Sequence, residues 1–105
     1  MKGKIVFITG ASSGIGEGCA RKFASQGSDL ILNARNVAKL EELKVELEAK
    51  YGVRICLLPF DVRDRNAATM ALASLPEEWK RIDVLVNNAG LVIGVRSEER
   101  RVGKE

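Results

Sequence analysis

Apolar positions follow two alternating rhythms along the chain, short continuous runs and longer stretches in which they return every three or four residues. Ile5-Val6-Phe7-Ile8 is continuous and rich in β-branched residues, the pattern of a strand covered on both faces in a parallel sheet. Beyond a glycine-containing turn, Ile15, Cys19 and Phe23 recur every fourth position beside Gly16, Ala20 and Ala24. This predicts a helix with a small, closely packing face that stops at Gly27. Leu30-Ile31-Leu32 predicts a second strand. Asn36 stands where a helix cap belongs, ahead of a stripe of Val37, Leu40, Leu43 and Leu47, and Gly52 closes that helix. Lys39, Glu42, Glu46 and Lys50 oppose the stripe and read as a solvated face. Val53 to Phe60 predicts a third strand, with Asp61-Val62 at its carboxyl end. Between Asp64 and Leu75, Ala68, Ala71, Leu72 and Leu75 predict a third helix stopped at Pro76, and Ile82 to Val86 a fourth strand.

Strand followed by helix, repeated, implies right-handed βαβ crossovers and the α/β class. The expected architecture is a truncated Rossmann fold, a parallel sheet of four strands in the order 3-2-1-4 with helices on both faces. Strand 4 would then be an apolar edge, which predicts poor solubility. A chain of 105 residues, 46% hydrophobic and 30% charged, suits one modest domain.

The hydrophobic rhythm stops abruptly at Arg96. Residues 96–105, Arg-Ser-Glu-Glu-Arg-Arg-Val-Gly-Lys-Glu, read as the frame-one translation of a widely used sequencing-library adapter. The expected organisation is a partial domain over residues 1–95 and a non-native tail over 96–105, which takes no part in fold reasoning. Without that tail the formal charge of +3 becomes +2. With one Trp, one Tyr and three Phe, no aromatic and basic surface for nucleic acid is expected. Cys19 and Cys56 lack the spacing of metal sites or a disulfide framework, and buried, reduced thiols are expected. The first apolar run is strand-length and no membrane or secretory segment is read, so a cytoplasmic protein is expected.

Gly10, Gly14 and Gly16 follow a strand and open a helix as G-x-x-x-G-x-G. Glycines there permit positive φ, admit a pyrophosphate close to the backbone and let the helix pack tightly, while the helix amino end offers free N–H donors. Ser12 and Ser13 can add hydroxyls. The alternative is a turn that satisfies only itself. At the end of strand 2 an NAD site places an acid, whereas this chain has Ala34 and Arg35, which favours the 2′-phosphate of NADP. The alternative for Arg35 is a solvated loop residue. Asp61 and Val62 could meet an adenine, or Asp61 could cap the following turn. Asn87-Asn88-Ala89-Gly90 ends strand 4 close to the turn after strand 1.

Together, Thr9 to Gly16, Asp61-Val62 and Asn87 to Gly90 resemble the short-chain dehydrogenase/reductase family across residues 3 to 95. The resemblance implies pyrophosphate contacts from Gly10, Ser12, Ser13, Gly14, Ile15 and Gly16, and adenine contacts from Asp61 and Val62. It also implies a contact near the adenine-side ribose from Asn88, Ala89 and Gly90, with Asn88 steadying the central strand. Ser74 to Trp79 followed by Ile82 to Leu91 resembles bacterial NADP-dependent 3-hydroxy acid dehydrogenases acting on serine or allo-threonine.

That family uses a tyrosine, a lysine four residues later and a serine. Here the only tyrosine, Tyr51, is followed four positions on by Ile55, so no catalytic residue and no metal ligand is assigned. The expected protein is the NADP-binding portion of an oxidoreductase that interconverts a hydroxy acid or other alcohol and its carbonyl form. This piece would be inactive, and the complete protein a homo-oligomer. A stand-alone nucleotide-binding module and a non-functional truncated product are the alternatives.

Overall fold

In the computed structural model, residues 2–61 and 63–88 are described, together with the backbone of 100–102. The elements run β1 (Ile5–Thr9), α1 (Gly14–Ser25), β2 (Asp29–Asn33), α2 (Val37–Tyr51), β3 (Ile55–Leu58), α3 (Arg65–Ala73), a 3-10 turn at Glu77–Trp79, β4 (Val84–Asn87) and β5 (Arg100–Val102). All pairings are parallel, in the order β3-β2-β1-β4-β5, so the expected 3-2-1-4 arrangement holds.

β1 is buried at every residue because it lies mid-sheet between two helical layers. Val6 and Ile8 point to one face with Leu30, Leu32, Val84 and Val86, where Ala20 and Ala24 of α1 and Leu40, Leu43 and Leu47 of α2 cover them. Ile5 and Phe7 point to the other, against Ile31, Leu85, Ala68, Leu75 and Trp79. Period-2 alternation therefore divides one continuous apolar run between two cores.

Local signals set the helix ends. Asn36 caps α2, its side chain accepting from the Lys39 N–H at 3.1 Å, and Gly52 ends that helix at φ 71°. Asp64 caps α3 by accepting from the Ala67 N–H at 3.0 Å. The shared start of β1 and β4 is pinned by Asp83, which accepts from the Ile5 N–H through its carboxylate and donates its own N–H to the Ile5 carbonyl, both at 2.9 Å.

Several expectations need correcting. Ile15 is 73% exposed, because it occupies the first turn of α1 beyond the reach of the sheet, and Val37 is likewise exposed at the start of α2. The α2 charges do lie on a solvated face, and two of them also pair with α1: Glu46 takes Arg21 at 2.5 Å, and Lys39 lies 3.6 Å from Glu17. The Arg21 hydrogen bond is the main cause holding both the Glu17 and Glu46 carboxyls below their ordinary range. Both cysteines are free but only half-buried, and partial burial pushes the Cys56 thiol up. β3 is shorter than expected and β4 lies further along the chain. Nor is β4 an edge, because Val84, Leu85 and Val86 pair with Arg100, Arg101 and Val102. An open row of strand N–H and C=O groups accepts any extended segment, and residues 100–102, within the tail left out of the fold prediction, fill that row.

Candidate functional site

Parallel strands deliver their carboxyl ends to one side of the sheet, and the turns after β1, β2, β3 and β4 converge there. The first turn is braced internally. Gly10 turns the chain at φ 65°, a left-handed conformation that favours glycine. Its carbonyl accepts from the Ser13 N–H at 3.2 Å, the Ser13 hydroxyl at 2.9 Å and the Asn88 amide at 3.2 Å.

Ser13 is also the cap of α1: its Oγ accepts from the Gly16 N–H at 3.2 Å and from Asn88 Nδ2 at 2.9 Å. The hydroxyl proton of Ser13 is therefore engaged inside the turn, while Ser12 opens onto a hollow. Gly14 and Ile15 occupy the first two positions of the helix, whose N–H groups have no intrahelical acceptor, and no described residue supplies one. Those two donors and the positive end of the helix dipole make a seat for an anion.

The three glycines of the motif play separate parts. Only Gly10 among them requires positive φ. A Cβ on Gly16 would overlap the Gly10 carbonyl and lie 2.8 Å from its carbon, so Gly16 is the close-packing point of helix on turn. A Cβ on Gly14 would meet nothing within 4 Å, so its missing side chain leaves open space at the helix tip.

Asn33, at the end of β2, did not stand out in the sequence. It is fully buried, donates through Nδ2 to the carbonyls of Leu58 at 3.0 Å and Phe60 at 3.1 Å, and accepts from the Gly10 N–H at 3.4 Å. Its own carbonyl accepts from the Ala11 N–H at 2.8 Å. One amide thus ties the ends of β1, β2 and β3 together. The available signal was a polar residue closing an otherwise apolar strand, which a loop start would equally produce.

Beside Asn33 a hollow of about 320 Å³ is walled by Gly10, Ser12, Ala34, Arg35, Asp61 and Arg63. A wider, open hollow continues over Asp64, Arg65 and Asn66 and is enclosed by less of the protein. Arg35 projects with 69% of its side chain exposed, its Nη1 3.7 Å from Asp61 Oδ2. Asp61 is gripped more closely by Arg63, with Nε on Oδ1 at 3.1 Å and Nη2 on Oδ2 at 2.9 Å. It also accepts from the Arg63 N–H at 2.9 Å, so Asp61 organises its own turn as the capping alternative anticipated. These Arg63 hydrogen bonds hold its carboxyl down to about 2. Val62, Ala89 and Gly90 lie outside the described residues.

The structure thus gathers Gly10, Ser12, Ser13, Gly14, Ile15, Gly16, Arg35, Asp61 and Asn88 at one end of the sheet. Residues 4–102 match the short chain dehydrogenase family. The chain belongs to that family. It is 47% identical over 91 residues to the NADP-dependent 3-hydroxy acid dehydrogenase YdfG of Escherichia coli, matching 87% of this chain and 35% of that protein.

Among solved structures, serine dehydrogenase from Escherichia coli superposes with a TM-score of 0.74 at 48% identity, covering 86% of this chain and 40% of the other. The L-sorbose reductase of Gluconobacter frateurii, complexed with NADPH and L-sorbose, gives a TM-score of 0.79 at 39% identity, covering 86% and 34%. The chain spans about a third of the length of the curated relatives it matches. The expected likeness to bacterial 3-hydroxy acid dehydrogenases is met by these relatives. In this member of the short chain dehydrogenase family the braced turn after β1 and the Arg35–Asp61–Arg63 group line one hollow. No helix among the described residues is long and apolar enough to cross a membrane.

Proposed function

We propose that this chain is the NADP-binding portion of an oxidoreductase that interconverts a 3-hydroxy acid, or another alcohol, and its carbonyl form. The observation that carries the proposal is that the glycine turn leading into α1, at Gly10 and Ser12, shares one hollow with Arg35. The residues fit the group: open space at Gly14 admits a pyrophosphate to the helix tip, and a guanidinium with most of its surface exposed stands where a 2′-phosphate needs a partner. Relatives named for NADP dependence, and the NADPH complex of L-sorbose reductase, support the same reading.

In this mechanism the chain binds and orients. Gly14 and Ile15 would donate to the pyrophosphate, Ser12 would add a hydroxyl, Arg35 would select the phosphorylated ribose, and the turn after β3 would receive the adenine end. Hydride transfer is the chemistry NADPH supplies when bound. Proton transfer and substrate orientation need further groups. Tyr51 does not provide them, because it ends α2 just before β3 begins, at the end of the sheet opposite the glycine turn. Residues 1–95 therefore bind cofactor without turnover. The hydroxy acid or alcohol and a homo-oligomeric assembly belong to the complete protein, for which we propose a cytoplasmic location.

Titration of NADPH and NADH, followed by cofactor fluorescence, tests the reading. The chain is expected to prefer NADPH, and Arg35→Ala to shrink that preference by roughly ten- to a hundredfold, the worth of one charge-assisted hydrogen bond. An unchanged ratio rejects the role of Arg35, and no NADPH binding by the chain rejects the function.

We also propose that residues 96–105 are adapter-encoded, so that β5 is a foreign strand filling the edge of β4. Sequencing the source DNA across this junction is expected to show every codon of the tail matching the adapter. A single departing codon overturns that origin.

A further inference from the structure

We propose that Arg63 is a specificity-determining residue of the cofactor site: it cancels the charge of Asp61 so that a 2′-phosphorylated adenosine can be held by Arg35. The inference rests on the NADP reading above. Three charged groups meet in the hollow after β2 and β3: two guanidinium groups and one carboxylate between them.

The two arginines are not equivalent partners of Asp61. Arg63 grips both carboxylate oxygens and adds its backbone N–H, forming a planar fork on the acid. Arg35 makes only a 3.7 Å approach to one oxygen. An arriving phosphate competes with Asp61 for Arg35, and the weaker contact is the one that yields.

What then faces the phosphate depends on Arg63. Without it, Asp61 presents a net negative charge beside the 2′-phosphate, and like charges at this range repel even through a partly aqueous medium. With it, carboxylate and guanidinium form a neutral pair, and Arg35 stands as the net positive charge at the pocket. NADH brings no 2′-phosphate, so its binding has little stake in that cancellation. Arg63 thus acts on the ratio of the two cofactors through Asp61, whereas an arginine that merely stabilised the loop would weaken both alike.

The neighbouring Arg65 supplies the control. It is exposed, stands two residues on at the start of α3 and has no ion pair among the described residues, so Arg65→Gln removes the same charge without touching Asp61.

The test measures NADPH and NADH dissociation constants on the full chain for the parent, Arg63→Gln, Arg65→Gln, Asp61→Asn and the double variant Asp61→Asn/Arg63→Gln. Arg63→Gln is expected to weaken NADPH by about five- to tenfold and NADH by less than about twofold, the difference shrinking as salt is raised. In the Asp61→Asn background, Arg63→Gln is expected to change the NADPH constant by less than about twofold, because no charge remains to cancel.

Equal loss for both cofactors, or a change as large for Arg65→Gln, overturns the proposal. So does an undiminished Arg63→Gln effect in the Asp61→Asn background, which would make Arg63 a direct phosphate ligand. A parent chain that binds no NADPH overturns the cofactor reading itself. A parent that binds NADPH with an Arg63→Gln ratio unchanged overturns only the role of Arg63.

Discussion

Gly16→Ala is expected to destabilise the chain by about 3 kcal/mol and to abolish detectable NADPH binding, whereas Gly14→Ala, two residues earlier, leaves the fold intact. The two glycines sit in one helical turn but face different neighbours. A methyl group on Gly16 overlaps the Gly10 carbonyl oxygen, and both nearest residues, Gly10 and Ala11, meet it with backbone atoms that no rotamer change can move. Relief requires shifting the helix off the turn. That shift breaks the Ser13 cap on Gly16 and carries Ser13 away from Asn88.

A methyl on Gly14 meets nothing, and this residue already has helical backbone, so alanine is conformationally acceptable. Its cost falls on the ligand, since the methyl stands in the open space through which a pyrophosphate reaches the helix tip. Urea melts read with NADPH titrations separate the two: Gly16→Ala loses both stability and binding, Gly14→Ala binding alone. A Gly16→Ala chain as stable as its parent would remove the close-packing role assigned to that residue.

The second large effect is expected at Asn33. Asn33→Leu keeps the branched outline with bulkier methyl groups and strands the Leu58 and Phe60 carbonyls and the Gly10 N–H. Buried polar groups left without partners cost about 1–3 kcal/mol each, so a loss of about 3 kcal/mol or more is expected. Asn33→Asp has nearly the same shape but aims carboxylate oxygens at two carbonyl oxygens, which raises the folded pKa of the new acid above its unfolded value. Its stability is then greatest while the acid is protonated, below the unfolded pKa, and is lost as pH rises through the raised folded value. Denaturant melts across that range check the sign, and a loss that is flat with pH would show that the amide faces water rather than carbonyls.

Much of this was legible from residue types whose local chemistry admits few alternatives. Asn36 and Gly52 bracket α2 because a side-chain acceptor and a left-handed glycine serve the helix ends whatever surrounds them. The run Ile5 to Ile8 named a central strand because both of its faces had to be covered. Ile15 misled because periodicity places it on the stripe of Cys19 and Phe23 without saying where the sheet ends. The first turn of α1 overhangs the strands, so its apolar side chain stays in solvent.

The sequence by itself determined the alternation of strands and helices and the glycine turn, since hydrophobic period and backbone freedom are properties of neighbouring residues. Only the tertiary structure decided which glycine packs and which leaves space, that Asn33 binds three strand ends into one platform, and that Arg35 comes within 3.7 Å of Asp61. The physical reason is separation along the chain. Asn33 meets carbonyls 25 and 27 residues away, and Asn88 reaches Gly10 across 78. Partners so distant in sequence are chosen by parallel strand register, which delivers the strand ends to one side of the sheet.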